Sequence, residues 1–288
     1  MMDTVMGIMM TGCAAALLPV CALAAATADG EMQQDPAGGL VVADCTVNGK
    51  SARMIVDTGA SCTVLDEQFA VGLPDLVRLQ VPTKGNARLP HYPAACTVEA
   101  GGARFENTPA IVLSLSGVNA VLKQPVQGIL GMDILGTLPF TLDYAAGKFC
   151  WGAPEDGRTR IAPEQRLDAL KRPYLLCRSG ANRQAVLLDT GSSVTLLETG
   201  FWAPGEAGSE ELRVADVQSD RTNRMQRGKN GDLVLAEGVI ASGLSPRLLA
   251  PGERPGAQLG ADALRNTCLQ HMPAPAGKPS FFFLAPKP

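Results

Sequence analysis

The chain is poor in the groups that most hydrolases and metalloproteins are built around. It has two histidines in 288 residues, His91 and His271, far apart in sequence and in no metal-ligand spacing. No C-x-x-C pair occurs, which excludes zinc knuckles and thioredoxin chemistry, and no G-x-S-x-G elbow occurs, which argues against a Ser-His-Asp hydrolase. Aromatics make up 5% and charged residues 18% of the chain, and the net charge is only −3. Such a balance gives no general attraction to nucleic acid or to acidic membranes. Positive charge is absent from the start of the chain, the first lysine or arginine being Lys50.

What is present points to a folded, turn-rich β protein. Apolar residues reach 46%, enough for a substantial core, and 31 glycines with 21 prolines suit short strands joined by tight turns. An uncharged run from Val5 to Ala26 ends in small residues. Residues 1–28 read as a secretory signal peptide cut near Ala26 or Ala28, with an uncleaved anchor or a lipid on Cys13 as alternatives. The remainder is expected in an exported compartment, periplasmic or extracellular, and residues 29–39 read as a flexible leader. Six cysteines follow the signal: Cys45, Cys62, Cys96, Cys150, Cys177 and Cys268. An even number in an exported chain favours disulfides, with 15 possible pairings and buried thiols as the alternative.

The chain repeats itself. Met54-Ile-Val-Asp-Thr-Gly-Ala-Ser61 recurs as Val186-Leu-Leu-Asp-Thr-Gly-Ser-Ser193, with the aspartates 132 positions apart. Leu130-Gly-Met-Asp-Ile-Leu135 recurs as Leu259-Gly-Ala-Asp-Ala-Leu264, 129 positions on. Cys45 and Cys177 each lie 12 residues before their aspartate. The spacing predicts a duplicated unit: a lobe over 40–151, a linker over 152–172 and a second lobe over 173–288. Each unit opens on a predicted hairpin, turning at Asn48-Gly49 and at Ser179-Gly180, whose second strand runs into Asp57 or Asp189.

A hydrophobic strand ending in Asp-Thr-Gly, followed about 70 residues later by hydrophobic-Leu-Gly, resembles the aspartic peptidases. The first half is most similar to retropepsins, and the two-copy chain to the bilobal pepsin family. The resemblance implies an all-β, two-lobed fold with a cleft between the lobes. It implies that Asp57 and Asp189 sit together, share one proton as close like charges must, and activate a water without metal or cofactor. Thr58 and Thr190 would bond across the axis; Gly59 and Gly191 would let the loops turn, and Gly131 and Gly260 would give room behind them. Ser61 closes the first motif, and Ser192 is expected to donate to Asp189, leaving Asp57 as the more often protonated partner. Asp133 and Asp262 are expected to cap the helix that follows.

A flap is expected at Val81 to Tyr92, with Gly85-Asn86 at its tip and Tyr92 facing substrate or packed. Its counterpart would be Val217 to Leu233, where Arg221, Arg224, Arg227 and Lys229 read as a solvated loop. Gln258, standing where the first copy has Ile129, marks a departure of the second lobe from the pattern. The partner implied is a polypeptide substrate, with no nucleic acid and no membrane beyond the N-terminus, acted on by a monomer. The alternatives are an inactive peptide-binding protein of the same fold and a peptidase whose lobes pair between chains.

Overall fold

Asn48 and Gly49 both take left-handed backbone conformations, with φ of 47° and 79°. That is the requirement of the tight turn that matches the twist of paired strands. The turn joins Val41–Val47 to Lys50–Val56, paired in register from Val42 opposite Ile55 to Val47 opposite Lys50. In this computed structural model the described residues are 39–78, 92–144, 146–152, 172–215, 220–236, 238–252 and 256–273. Short paired strands at Thr4–Met6, Val20–Ala22, Asp29–Glu31, Gln33–Gln34, Arg166–Leu167 and Phe281–Pro286 are described as well. The second hairpin pairs Pro173–Ser179 with Asn182–Leu188. Its turn is Gly180-Ala181, one residue later than the sequence suggested, because the glycine takes the first left-handed position, at φ 58°.

The chain is all-β. Residues of the first half form most of a nine-stranded sheet, and residues of the second half most of an eleven-stranded one. The same local arrangement stands at the heart of both. Gly128–Leu130 lies parallel to Met54–Val56 and antiparallel to Val64–Leu65, which places the Leu-Gly segment beside the strand that delivers Asp57. Gln258–Leu259 lies in the same way between Leu187–Leu188 and Leu196. Gly131 and Gly260 follow these strands, and each leads into a one-turn helix, Met132–Leu135 or Ala261–Leu264.

A third sheet ties the halves together. Phe140–Asp143 from the first half pairs antiparallel with Thr267–Met272 from the second, Phe140 opposite His271 and Leu142 opposite Leu269. Phe105, Phe140, Phe149 and Trp151 pack ring on ring at this junction, with centroids 5.0–6.3 Å apart. The Trp151 indole N–H donates to the Ala100 carbonyl at 2.7 Å, so a bridging strand is also fastened to the first sheet. Because this sheet draws strands from both halves, burying its apolar face fixes one half against the other.

One expectation changes here. No disulfide forms among the described residues. Cys45 faces Ala52 and Ala100, Cys177 faces Gln184, and Cys150 faces Thr141, so no cysteine meets another across these strand pairs. Burial pushes the Cys45, Cys96 and Cys177 thiols up to about 12, which makes them small apolar core residues without thiolate chemistry. Within the leader, Asp29–Glu31 pairs with Lys148–Cys150 and Gln33–Gln34 with Val41–Val42. Of the expected signal, Thr4–Met6 and Val20–Ala22 form short pairings and the rest lies outside the described residues. Among the described residues no helix is long and apolar enough to cross a membrane.

His271 makes the bridging sheet sensitive to acid. It is fully buried, stacked on Phe140 at 5.0 Å, with Nδ1 3.2 Å from the Leu138 carbonyl. Burial pushes its pKa down from 6.5 to about 4, so the fold holds the neutral ring. A depressed histidine contributes stability that is fully present above pH 6.5 and is lost as pH falls towards 4. A shift of this size corresponds to roughly 3 kcal/mol. In His271→Leu, the loss of stability between pH 7 and pH 4 should shrink by about that amount relative to the unaltered protein, read from urea unfolding at both pH values. An unchanged difference would mean that the ring is protonated in place.

Candidate active site

Both hairpins end by delivering an aspartate to the same point. The Asp57 amide donates to the Leu130 carbonyl at 3.0 Å and the Asp189 amide to the Leu259 carbonyl at 3.1 Å. Each loop is thus anchored to the Leu-Gly strand beside it. The two loops are then locked to each other. The Thr58 amide donates to Thr190 Oγ1 at 3.0 Å, and the Thr190 amide donates to Thr58 Oγ1 at 3.2 Å. Thr58 Oγ1 donates onward to the Leu188 carbonyl at 2.6 Å, and Thr190 Oγ1 to the Val56 carbonyl at 2.7 Å. All four groups lie in the interior, where an unmatched donor or acceptor costs about 1–3 kcal/mol, so the exchange holds the loops in one relative position.

That position brings the carboxyls of Asp57 and Asp189 together. A Cβ placed on Gly59 would fall 2.5–2.9 Å from the carboxyl atoms of Asp189, and one on Gly191 would overlap the Asp57 carboxyl more closely still. Each carboxyl therefore packs against the opposite loop's glycine, which no other residue can replace. Gly131 and Gly260 are held to glycine by the backbone of Cys62 and Val194 in the same way.

The pair is electrostatically unequal. Asp57 Oδ1 accepts from the amides of Gly59 at 2.7 Å and Ala60 at 3.1 Å, whereas Asp189 Oδ1 accepts from Gly191 alone, at 3.0 Å. Both residues are fully buried, and burial is the largest cause raising each carboxyl above its ordinary range. For Asp57 the bond to Asp189 and the loop amides oppose that rise; for Asp189 the charge of Asp57 adds to it. The loop amides favour the charged form of Asp57 with two bonds and that of Asp189 with one. Each acts on the other's proton, yet the two Oδ2 atoms have no hydrogen-bond partner of good geometry.

Residues 43–134, from the first hairpin through the short helix, match the family model described as aspartyl protease. This stretch is similar to aspartyl proteases. No curated protein matches the chain. The second half lies outside the matched residues, and its Asp189 loop shares with the Asp57 loop the anchoring to a Leu-Gly strand and the threonine exchange.

The supporting contacts around the two loops correct two sequence expectations. Asp133 and Asp262 do not cap their helices, whose N-caps are Gly131 and Gly260. Asp133 instead accepts from both the amide and the hydroxyl of Thr63, each at 2.9 Å, and Asp262 accepts from Thr195 Oγ1 at 2.6 Å. They fasten the strand leaving each Asp-Thr-Gly loop to the helix behind it. Nor does Ser192 address Asp189. Its hydroxyl donates to the Val194 carbonyl at 2.8 Å and accepts from Gln258 Nε2 at 2.9 Å. Ser192 therefore does not give the Asp189 carboxyl the hydrogen bond that was expected of it. Gln258 is explained by the same bond: Ser192 with Gln258 replaces the apolar Ala60 and Ile129, which share a core cluster in the first half.

Ser61 lies half-buried at the end of its motif. Gly85 falls outside the described residues, and Tyr92 opens a strand opposite Val112. In the second half the hairpin is Glu206–Ala215 with Asp220–Gly228, so it starts earlier than expected and places Arg221, Arg224 and Arg227 on a strand instead of a loop. Two residues near the carboxyls escaped the sequence reading. The buried Tyr144 phenol is pushed above its ordinary range by burial and by the charges of Asp189 and Asp57, and Arg172 acts on Asp189. The signal for Arg172 was its offset of 132 from Leu40.

The Ser192–Gln258 contact gives a double-mutant test. Ser192→Ala strands the Gln258 amide in the interior and should cost about 1–3 kcal/mol. Adding Gln258→Ile, which copies the Ala60 and Ile129 arrangement, should recover most of that loss in denaturant unfolding. Additive costs would show that the two side chains are uncoupled.

Proposed function

We propose that the protein is an exported aspartic endopeptidase that hydrolyses peptide bonds with a water activated by Asp57 and Asp189. The observation that carries this reading is the reciprocal bonding of Thr58 and Thr190, which fixes two buried carboxyls against each other. Two acids so placed cannot both ionise at one pH, so the pair spends a range of pH with a single proton. Asp57, supported by the Gly59 and Ala60 amides, acts as the base that takes a proton from water. Asp189 holds the acid proton and donates it to the carbonyl oxygen of the scissile bond as the water attacks. The two Oδ2 atoms are the ones left to address water and substrate. The leaving nitrogen then takes the proton held by Asp57, the C–N bond breaks, and a hydroxyl of the tetrahedral intermediate returns its proton to Asp189, so the pair regains its starting state without a covalent intermediate.

The substrate class is an extended polypeptide, bound in the cleft between the halves by main-chain pairing. Both aspartates are fully buried. Export is supported by the uncharged run from Val5 to Ala26 and its small-residue end. One chain contributes both aspartates, which supports a monomer as the active species.

The test is hydrolysis of a peptide library between about pH 3 and 7, an interval that spans the ordinary and raised carboxyl ranges. Asp57→Asn and Asp189→Asn should each lower kcat by on the order of 10²–10⁴, the usual effect of losing a positioned acid or base. Specific activity should hold on dilution. Full activity in Asp189→Asn would remove the second half from the chemistry, and peptide binding without cleavage would leave the chain a binding protein.

A further inference from the structure

Arg172 lies one residue before the strand Pro173–Ser179 and is buried, with 6% of its surface exposed. The hairpin register pairs Tyr174 with Leu187 and Leu175 with Val186. Counted on two steps past its last pair, the same register would bring Arg172 level with Asp189, and the charge of Arg172 favours the Asp189 anion. The same count in the first hairpin, from Val42 opposite Ile55, would bring Leu40 level with Asp57. Leu40 is 1% exposed and belongs to an apolar cluster with Ala60 and Ile129. The two halves therefore carry different buried side chains at one equivalent position, a leucine in the first and an arginine in the second.

We propose that Arg172 is a positioning residue that sets the upper end of the pH range over which the two carboxyls hold one proton. The inference rests on the reading of Asp57 and Asp189 as the catalytic pair. The charged and titratable groups acting there are Asp57 from the first half, Asp189 and Arg172 from the second, and the Tyr144 phenol beside the bridging sheet. Tyr144 is neutral throughout, since burial and both carboxylates oppose its ionisation. The first proton to leave the pair places its charge on Asp57, where the Gly59 and Ala60 amides hold it. Only the second ionisation creates a carboxylate on Asp189, and that is the species the charge of Arg172 favours. Arg172 thus acts chiefly on the second step and draws it to lower pH. It ends the single-proton range earlier than two carboxyls in a dry site would, and so switches the site off on the alkaline side.

The decisive variant is Arg172→Leu, which gives the second half the residue that the first half carries at the equivalent position. An opposite charge at close range lowers a carboxyl by about 1–3 units, so the basic limb of kcat/KM should move up by roughly one unit or more. The acid limb should move less, and Arg172→Lys, which keeps the charge, should stay near the unaltered protein. Carboxyl-carbon NMR of the folded variants, assigned with Asp189→Asn, reads the same ionisation without turnover. If no peptide is cleaved at any pH, the catalytic reading fails while the carboxyl titration still decides the role of Arg172. Should Arg172→Leu not fold, Arg172→Gln removes the charge with its amide able to bond. An unmoved Asp189 titration in either folded neutral variant, or a lysine variant shifted as far as the leucine one, would overturn the proposal.

Discussion

The exchange of hydrogen bonds between Thr58 and Thr190 is the constraint on which the centre of the molecule depends. Each hydroxyl does two tasks at once: it accepts from the other loop's amide and donates to a carbonyl just ahead of the other loop's aspartate. Neither loop can satisfy its own buried groups, so neither half presents a finished site alone. Substituting an apolar residue at either threonine leaves an amide and a carbonyl stranded in the interior, a far larger cost than losing one exposed bond. The carboxyl positions, the contact of each with the opposite glycine and the raised proton affinity of the pair all follow from where this exchange pins the loops. The bridging sheet serves the same end from below, since Phe140–Asp143 and Thr267–Met272 pair across the halves and limit how far the loops can drift.

Much of this was legible in the sequence because it is written in local terms. A strand running into Asp-Thr-Gly, an Asn-Gly turn and a Leu-Gly segment each state a backbone requirement within a few residues, and the structure meets each one. What could not be read depends on partners distant in sequence. Asp133 reads as a helix cap because its nearest helix is adjacent, yet its bonding partner, Thr63, lies 70 residues away. Parity made the six cysteines look like three bridges, but strand register decides what faces what, and it sets alanine, threonine and glutamine across from Cys45, Cys150 and Cys177. Ser192 failed for a related reason. The position one residue beyond Asp-Thr-Gly suggests a donor to the aspartate, but Gln258, 66 residues on, takes the hydroxyl into another network. The histidine in the bridging sheet gave no signal at all, since a lone His between Gln270 and Met272 is as consistent with a surface strand as with the core.

The differences between the halves are chemically coherent. Around Asp57 the side chains are apolar, namely Leu40, Ala60 and Ile129, and the anion is held by backbone amides. In the second half the counterparts are polar, namely Arg172, Ser192 and Gln258, and Asp189 accepts from one loop amide. Backbone donors belong to the loop geometry and cannot be changed without refolding the loop, so the charge on Asp57 is a fixed property of the motif. Side-chain groups can be exchanged one at a time at little structural cost. On the reading proposed above, Asp189 is then the adjustable member of the pair, and a buried side chain such as Arg172 is the simplest place from which to adjust it. Such a site would keep its base constant and tune its acid without disturbing the threonine exchange that holds both loops in place.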